Sequence, residues 1–280
     1  MIRTIAGCLA ACDEGRDRGG SVGFVPTMGA LHAGHVSLIR RARGERDPVV
    51  VSIFVNPLQF GDPLDLAAYE RDEARDLEVL RELEVDLAFA PSVQEMYPDG
   101  DPEVTVDPGP LGDRLEGTSR PGHFRGVATV VSKLLHAVGP CAAYFGEKDA
   151  QQLAVVRRMA RDLSFPVEIV ACPTVREPDG LAMSSRNARL DPAQREAAGC
   201  LFLALSVAAE LARSGEREAA KLVAAMAREI GATPQARLDY AAVVDEQTFE
   251  EVRRIDGPAR ALVAASFGEV RLIDTLRLPP

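Results

Sequence analysis

The chain has 280 residues, 46% of them hydrophobic and 26% charged, which is enough apolar material for one large or two modest domains. A net charge of −10 argues against a long polyanion, so no nucleic-acid partner is expected, although local positive charge still suffices for a nucleotide. No apolar run is long enough to span a membrane and the first twenty residues lack a signal-peptide layout, so the chain reads as cytoplasmic with no membrane partner.

Residues 2–18 predict an amphipathic helix with Ile5, Leu9 and Cys12 on one face, ended by Gly19 and Gly20. Cys8 and Cys12 lie one turn apart, but the five cysteines have no metal-binding spacing and read as small buried thiols. A strand from Val22 to Val25 then meets Pro26-Thr27-Met28-Gly29 and the run Ala30-Leu31-His32-Ala33-Gly34-His35, and a helix follows over 36–43. A strand, a tight turn and a helix start make an anion-binding device, because the first turn of a helix offers backbone N–H groups and the positive end of its dipole. Gly29 and Gly34 allow close approach of a phosphate, and His32 and His35 add donors that change charge near neutral pH. Val49 to Val55 is apolar, β-branched and not alternating, as expected for a strand buried on both faces of a parallel sheet. It ends at Asn56-Pro57-Leu58-Gln59, where open α/β sheets gather ligands.

A charged helix is expected from Asp62–Asp65 to Leu83, with Leu66, Tyr69, Leu77 and Leu80 as its apolar stripe and its charges on a solvated face. A strand at 85–90 precedes a long Gly/Pro/Asp-rich insertion, 97–122, with a possible short strand at 104–106. His123 reads as a loop donor, and His136, in the apolar helix 127–138, reads as structural. A strand at 142–145 runs into Gly146-Glu147-Lys148-Asp149 and the helix 150–163, a second junction suited to phosphate. A strand at 166–171 follows. This alternation argues for an α/β fold with a doubly wound parallel sheet. After a turn-rich junction at 173–180, two Ala-rich helices (192–213, 216–230) and strands at 238–244, 261–267 and 270–273 suggest a small α+β domain with an antiparallel sheet.

All but three of the 32 basic residues are Arg, and Lys148 is one of the exceptions. Placed just past a strand, it suits developing phosphoryl charge, although a surface ion pair is the structural alternative. Ser184-Ser185-Arg186 offers two hydroxyls and a guanidinium fork to phosphate oxygens, or else a helix cap and a salt bridge. Gln59 and Gln152 are neutral amides suited to the hydroxyl and carboxylate of a small polar substrate. Together these groups point to chemistry at an ATP phosphate.

Five blocks resemble the pantothenate synthetases (pantoate–β-alanine ligases): Pro26 to His35, Ser52 to Phe60, Arg120 to Phe124, Phe145 to Gln152, and Asp179 to Asn187. The resemblance implies a Rossmann-like sheet of the His-x-Gly-His nucleotidyltransferase type over residues 1–174, a smaller C-terminal lid domain over 175–280, and a homodimer. It implies ATP as substrate with accompanying Mg2+, protein ligands unassigned. Pantoate would be adenylated with loss of diphosphate, and β-alanine would then displace AMP to give pantothenate. Carried over by motif, Met28, Gly29, Ala30, Leu31, His32, Ala33, Gly34 and His35 would line the ATP site, with His35 as proton donor and His32 on the phosphates. Gly146, Glu147, Lys148 and Asp149 would form a second ATP segment, Val175 would lie by the nucleotide, and Met183, Ser184, Ser185 and Arg186 would close over the phosphates. Gln59 and Gln152, with Met28, would hold pantoate, and Gln59 with Asn56 would lie near β-alanine. Glu70, Glu84 and Cys141 depart from the family's usual Pro, Gly and Asp. A nucleotidylyltransferase and a non-catalytic nucleotide sensor are the competing expectations, while a tRNA synthetase is disfavoured by the short, acidic chain.

Overall fold

The computed structural model describes residues 1–61 and 63–279, the side chains of Pro63 and Leu64 excepted. It divides into two compact units, one of residues 1–146 and 155–172, the other of 147–154 and 173–280.

The first unit holds five parallel strands, β1 (Gly23–Thr27), β2 (Val49–Ile53), β3 (Leu87–Phe89), β4 (Cys141–Gly146) and β5 (Val167–Cys172), in the order β3-β2-β1-β4-β5. Its helices are α1 (Ile5–Asp17), α2 (Ala33–Glu45), α3 (Pro63–Ala67), α4 (Glu73–Glu82), α5 (Val93–Met96), α6 (Glu116–Ser119) and α7 (His123–Val138), with α8 (Ala150–Asp162) divided between the units. Strand residues alternate between faces. Val25, Val49, Val51, Ala142 and Tyr144 pack with Leu38, Ile39 and Ala42 of α2 and Leu80 of α4. Phe24, Val50, Ala143 and Phe145, on the opposite face, are buried as well. Both faces are therefore covered, and the chain order reverses between β1 and β4. That is the switch point beyond which open α/β sheets bind ligands.

Two sequence expectations change here. The helix expected from Asp62 to Leu83 is two helices, α3 and α4, because Asp72 caps α4 by accepting from the Arg75 amide; its expected start at Asp62 lies outside the described residues. Residues 104–106 form no strand. Val104 is exposed, and the Val106 amide donates to Thr129 Oγ1 of α7 instead of to a sheet edge.

The second unit has α9 (Pro192–Ala197), α10 (Cys200–Arg213), α11 (Ala219–Gly231) and an antiparallel sheet β6-β7-β8 (Ala236–Asp245, Ala259–Phe267, Val270–Leu278). The helix expected over 192–213 is thus also two. Leu201 and Leu205 of α10 and Leu222 and Met226 of α11 pack with Val263 and Phe267 of β7, a strand buried along its whole length. A parallel doubly wound sheet with a smaller antiparallel α+β unit is the fold class expected from the sequence.

Candidate active site

The chain leaves β1 through a turn that is held from two sides. Thr27 Oγ1 donates to the Ser52 carbonyl at 2.6 Å and accepts from the Gly29 amide at 3.1 Å. Asp76 of α4 accepts from the amides of Ala30 and Leu31 at 3.0 and 2.8 Å. Gly29 has φ +81°, and a Cβ there would lie 2.6 Å from Asp76 Oδ2, so the carboxylate can reach the turn only past glycine. Asp76 is buried, which pushes its carboxyl above the usual range, while the two amides it accepts from pull the other way. The acidic residues of this helix were expected on a solvated face; Asp76 corrects that expectation. It stands four residues before Leu80, on the buried side of α4, and this spacing was the available signal.

His32 is the N-cap of α2, its Nδ1 accepting from the Gly34 amide at 3.1 Å, and the His32 amide donates to His35 Nδ1 at 3.3 Å. This is a capping box with imidazoles in place of the usual hydroxyl and carboxylate. Backbone N–H groups only donate, so each Nδ1 keeps its lone pair and each ring carries its proton on Nε2. The rings stand 4.1 Å apart, half-buried, at the first turn of a helix. Ala33 and Gly34 form its backbone start, and Met28 lies half-buried before it. The pair therefore caps the helix through Nδ1 and keeps both Nε2–H groups as donors.

Beyond β2, a single turn of 3-10 helix, Pro57–Gln59, sits against α7. A Cβ on Gly126 would fall 2.3 Å from the Leu58 carbonyl, so this approach too requires glycine. Asn56 Nδ2 donates to Gln59 Oε1 and to the Gly126 carbonyl, at 3.1 and 3.2 Å, and Tyr97 Oη donates to Asn56 Oδ1 at 2.8 Å. Gln59 Nε2 reaches Met28 Sδ at 3.1 Å. His123, expected as a loop donor, is the first residue of α7 and buried; its Nδ1 lies 2.9 Å from the Gln59 carbonyl. His136 stacks edge-on against Phe165.

In the second unit, Lys148 Nζ lies 3.5 Å from Asp149 Oδ1 on a 3-10 turn that follows Gly146. Glu147 is engaged otherwise, by Arg277 at 3.0 Å and by the buried Arg260 at 3.4 Å. Gln152 is half-buried in the first turn of α8. The Val175 carbonyl accepts from the Met183 amide at 3.0 Å across a narrow hairpin, and Arg176 within it grips Asp274 at 2.6 and 3.0 Å. Ser184 Oγ caps the following 3-10 helix (Ser185–Arg189) by accepting from the Arg186 amide at 3.2 Å. Ser185 and Arg186 are half-buried. Asn187 Nδ2 donates to Glu177 and to the Ala182 carbonyl, and Arg195 bridges Glu177 and Asp179, both at 2.6 Å. Among the described residues, no group of three or more His, Cys, Asp or Glu side chains is placed to hold a metal.

The sequence model of the pantoate-beta-alanine ligase family matches residues 1–277. The chain belongs to that family. A pantothenate synthetase of Rubrobacter xylanophilus is 54% identical over 271 residues, covering 94% of this chain and 93% of the relative. The crystal structure of the Thermus thermophilus pantothenate synthetase superposes with a TM-score of 0.93 at 50% identity, covering 100% of this chain and 99% of that one. A pantoate-beta-alanine ligase from Francisella tularensis, complexed with beta-gamma ATP and beta-alanine, gives a TM-score of 0.79 at 36% identity over 99% and 97% of the two chains. As a member of the pantoate–β-alanine ligase family the chain is an ATP-dependent ligase that forms an amide bond.

Proposed function

We propose that this chain condenses pantoate with β-alanine through a pantoyl adenylate, and that the residues described above divide the work. In the first step a pantoate carboxylate oxygen attacks the α-phosphorus of ATP, and the bond to the bridging oxygen of diphosphate breaks. Charge then builds on the pentavalent phosphorus and on the leaving diphosphate. Donors already in place stabilise both without reorganising, and one such donor is worth about 2.7–4 kcal/mol. The reading is carried by the imidazole capping box, which sets two Nε2–H donors at a helix N-terminus beyond β1. His32 and His35 serve the phosphates there with the backbone of Met28 to His35. Lys148, in the segment Gly146 to Asp149, supplies point charge, and Ser184, Ser185 and Arg186 supply hydroxyls and a guanidinium fork, with Val175 and Met183 beside the nucleotide. Gln59, Gln152 and Met28 hold pantoate, and Gln59 also lies next to β-alanine. In the second step the β-alanine amine attacks the acyl carbon, loses a proton, and AMP leaves with the electron pair of the acyl–oxygen bond.

Mg2+ belongs to the same proposal as a companion of ATP. It retains several waters and takes one or two carboxylates plus phosphate oxygens, so it needs no all-protein cage. Asp149, 49% exposed beside Lys148, is a carboxylate of the required kind. The lid role of 175–280, a homodimer and a cytoplasmic location complete the proposal. No helix among the described residues is long and apolar enough to cross a membrane, and all five cysteines are free thiols.

The test is release of AMP and diphosphate from ATP and pantoate, with and without β-alanine. Diphosphate formation that requires pantoate, with AMP release requiring β-alanine, is the expected result. An adenylyl group retained in the product would instead make the protein a nucleotidylyltransferase, and ATP binding without turnover would make it a sensor.

A further inference from the structure

We propose that Tyr97 is a positioning residue for the substrate-facing amide of Gln59, acting through Asn56, which itself makes no substrate contact. The proposal rests on the placement of Gln59 in the pantoate site. Asn56 is 1% exposed, and each of its hydrogen-bonding positions is occupied. Its Nδ2 faces the Gly126 carbonyl at 3.2 Å, and a carbonyl only accepts, so this atom is the NH2 group. Its Oδ1 faces the Leu58 amide at 3.4 Å, and a backbone N–H only donates. Two backbone groups therefore orient the Asn56 amide. Tyr97 Oη, at 2.8 Å from Oδ1, must then donate, and the second Nδ2 hydrogen must go to Gln59 Oε1 at 3.1 Å. Two donors and two acceptor lone pairs exhaust a carboxamide. Asn56 has no capacity left for β-alanine, where the family resemblance placed it.

The consequence passes along the chain of bonds. With Oε1 held by Asn56, Gln59 turns its NH2 away from the network, where it meets the thioether sulfur of Met28, a weak acceptor. An NH2 so presented selects an oxygen acceptor, a hydroxyl or a carboxylate, and disfavours a donor in the same place. Tyr97 keeps the relay directional. Burial raises its phenol pKa, so it remains a donor, and its ring is fixed by Phe54 at 6.1 Å and by Lys133 Nζ at 5.7 Å from the centroid. A second clamp holds the Gln59 backbone: its carbonyl faces His123 Nδ1, which must carry the proton, leaving Nε2 to accept from Arg120 at 3.2 Å.

The experiment is a double-mutant cycle of Tyr97→Phe and Gln59→Ala, reading KM for pantoate, ATP and β-alanine together with kcat. Phenylalanine keeps the ring and removes one hydrogen bond, so Tyr97→Phe should raise the pantoate KM roughly three- to tenfold. The ATP KM and kcat should stay within about twofold, a split that general loosening of the fold would not produce. In the Gln59→Ala background, Tyr97→Phe should add nothing, since its route to substrate is gone. An unchanged pantoate KM in Tyr97→Phe, or an undiminished effect in the Gln59→Ala background, overturns the relay while leaving Gln59 in the pantoate site. An unchanged pantoate KM in Gln59→Ala removes the placement of Gln59 and the relay with it.

Discussion

The turn at 27–35 and the segment at 175–189 carry groups of the same kind, hydrogen-bond donors and cations suited to phosphate, yet they are built in opposite ways. The first is held largely by buried partners distant in sequence, Asp76 on Ala30 and Leu31 and Thr27 on the Ser52 carbonyl, and locally by two half-buried histidines that cap α2. The second is anchored at its base by the buried pair Arg176–Asp274, but its tip is held by partly exposed groups, with Arg195 on Glu177 and Asp179 and Asn187 on Glu177. None of the residues of its 3-10 helix is buried. Buried hydrogen bonds are costly to break one at a time, whereas partly exposed ion pairs contribute little each. The turn is therefore a preformed frame, while beyond the Arg176–Asp274 anchor the tip of the segment has a small free-energy cost to open. The second unit should contribute to chemistry through charge more than through rigidity.

Lys148→Ala tests that division with the largest expected effect. Adenylate formation, followed as pantoate-dependent ATP–diphosphate exchange, should fall at least about a hundredfold, with an unfolding midpoint close to that of the parent. Near-normal exchange would remove Lys148 from the mechanism. Asp76→Ala should do the reverse, acting on structure first. Leaving the Ala30 and Leu31 amides without their acceptor should cost roughly 1–3 kcal/mol in urea unfolding, and exchange should fall because the turn is no longer held.

Acid titration should separate the two regions by sign. Asp76 has a folded-state pKa above its ordinary value of 3.8, so its contribution to stability is full below that pH and is lost as pH rises through the raised value. Asp179, held by Arg195, is lowered from the same ordinary value, so its contribution is present above about pH 4 and is lost as pH falls. Urea midpoints of the parent against Asp76→Ala should converge with rising pH, and against Asp179→Ala they should converge with falling pH. Parallel profiles would contradict the contrast.

The smallest effect lies at the end of the helix that delivers Asp76. Glu84 follows the C-cap Leu83 with φ +52°, its amide donating to the Arg81 carbonyl and that of Val85 to Leu80. This is a Schellman ending, in which glycine is favoured. Removing left-handed strain, less the greater freedom of glycine in the unfolded chain, predicts that Glu84→Gly stabilises by about 0.5–1 kcal/mol. A neutral or destabilising result in the same urea measurement would show that Glu84 makes a compensating contact.

Local chemistry was legible in the sequence. Short apolar runs bounded by turn residues marked every strand of the central sheet, and two histidines three apart with glycines beside them marked the helix start beyond β1. These features depend on neighbours within a few residues, where periodicity and spacing carry the physics. The sequence also showed which residue types could meet ATP. Tertiary structure decided which of them do two jobs, and which apparently ordinary residues matter. Asp76 looked like one more surface carboxylate until α4 laid it against a turn 46 residues earlier. In the sequence Asn56 is a polar residue at a strand end; in the fold Tyr97, 41 residues on, and Gly126, 70 residues on, bond its amide. A polar group's role depends on which partners fill its hydrogen-bonding capacity, and only the folded chain brings those partners together.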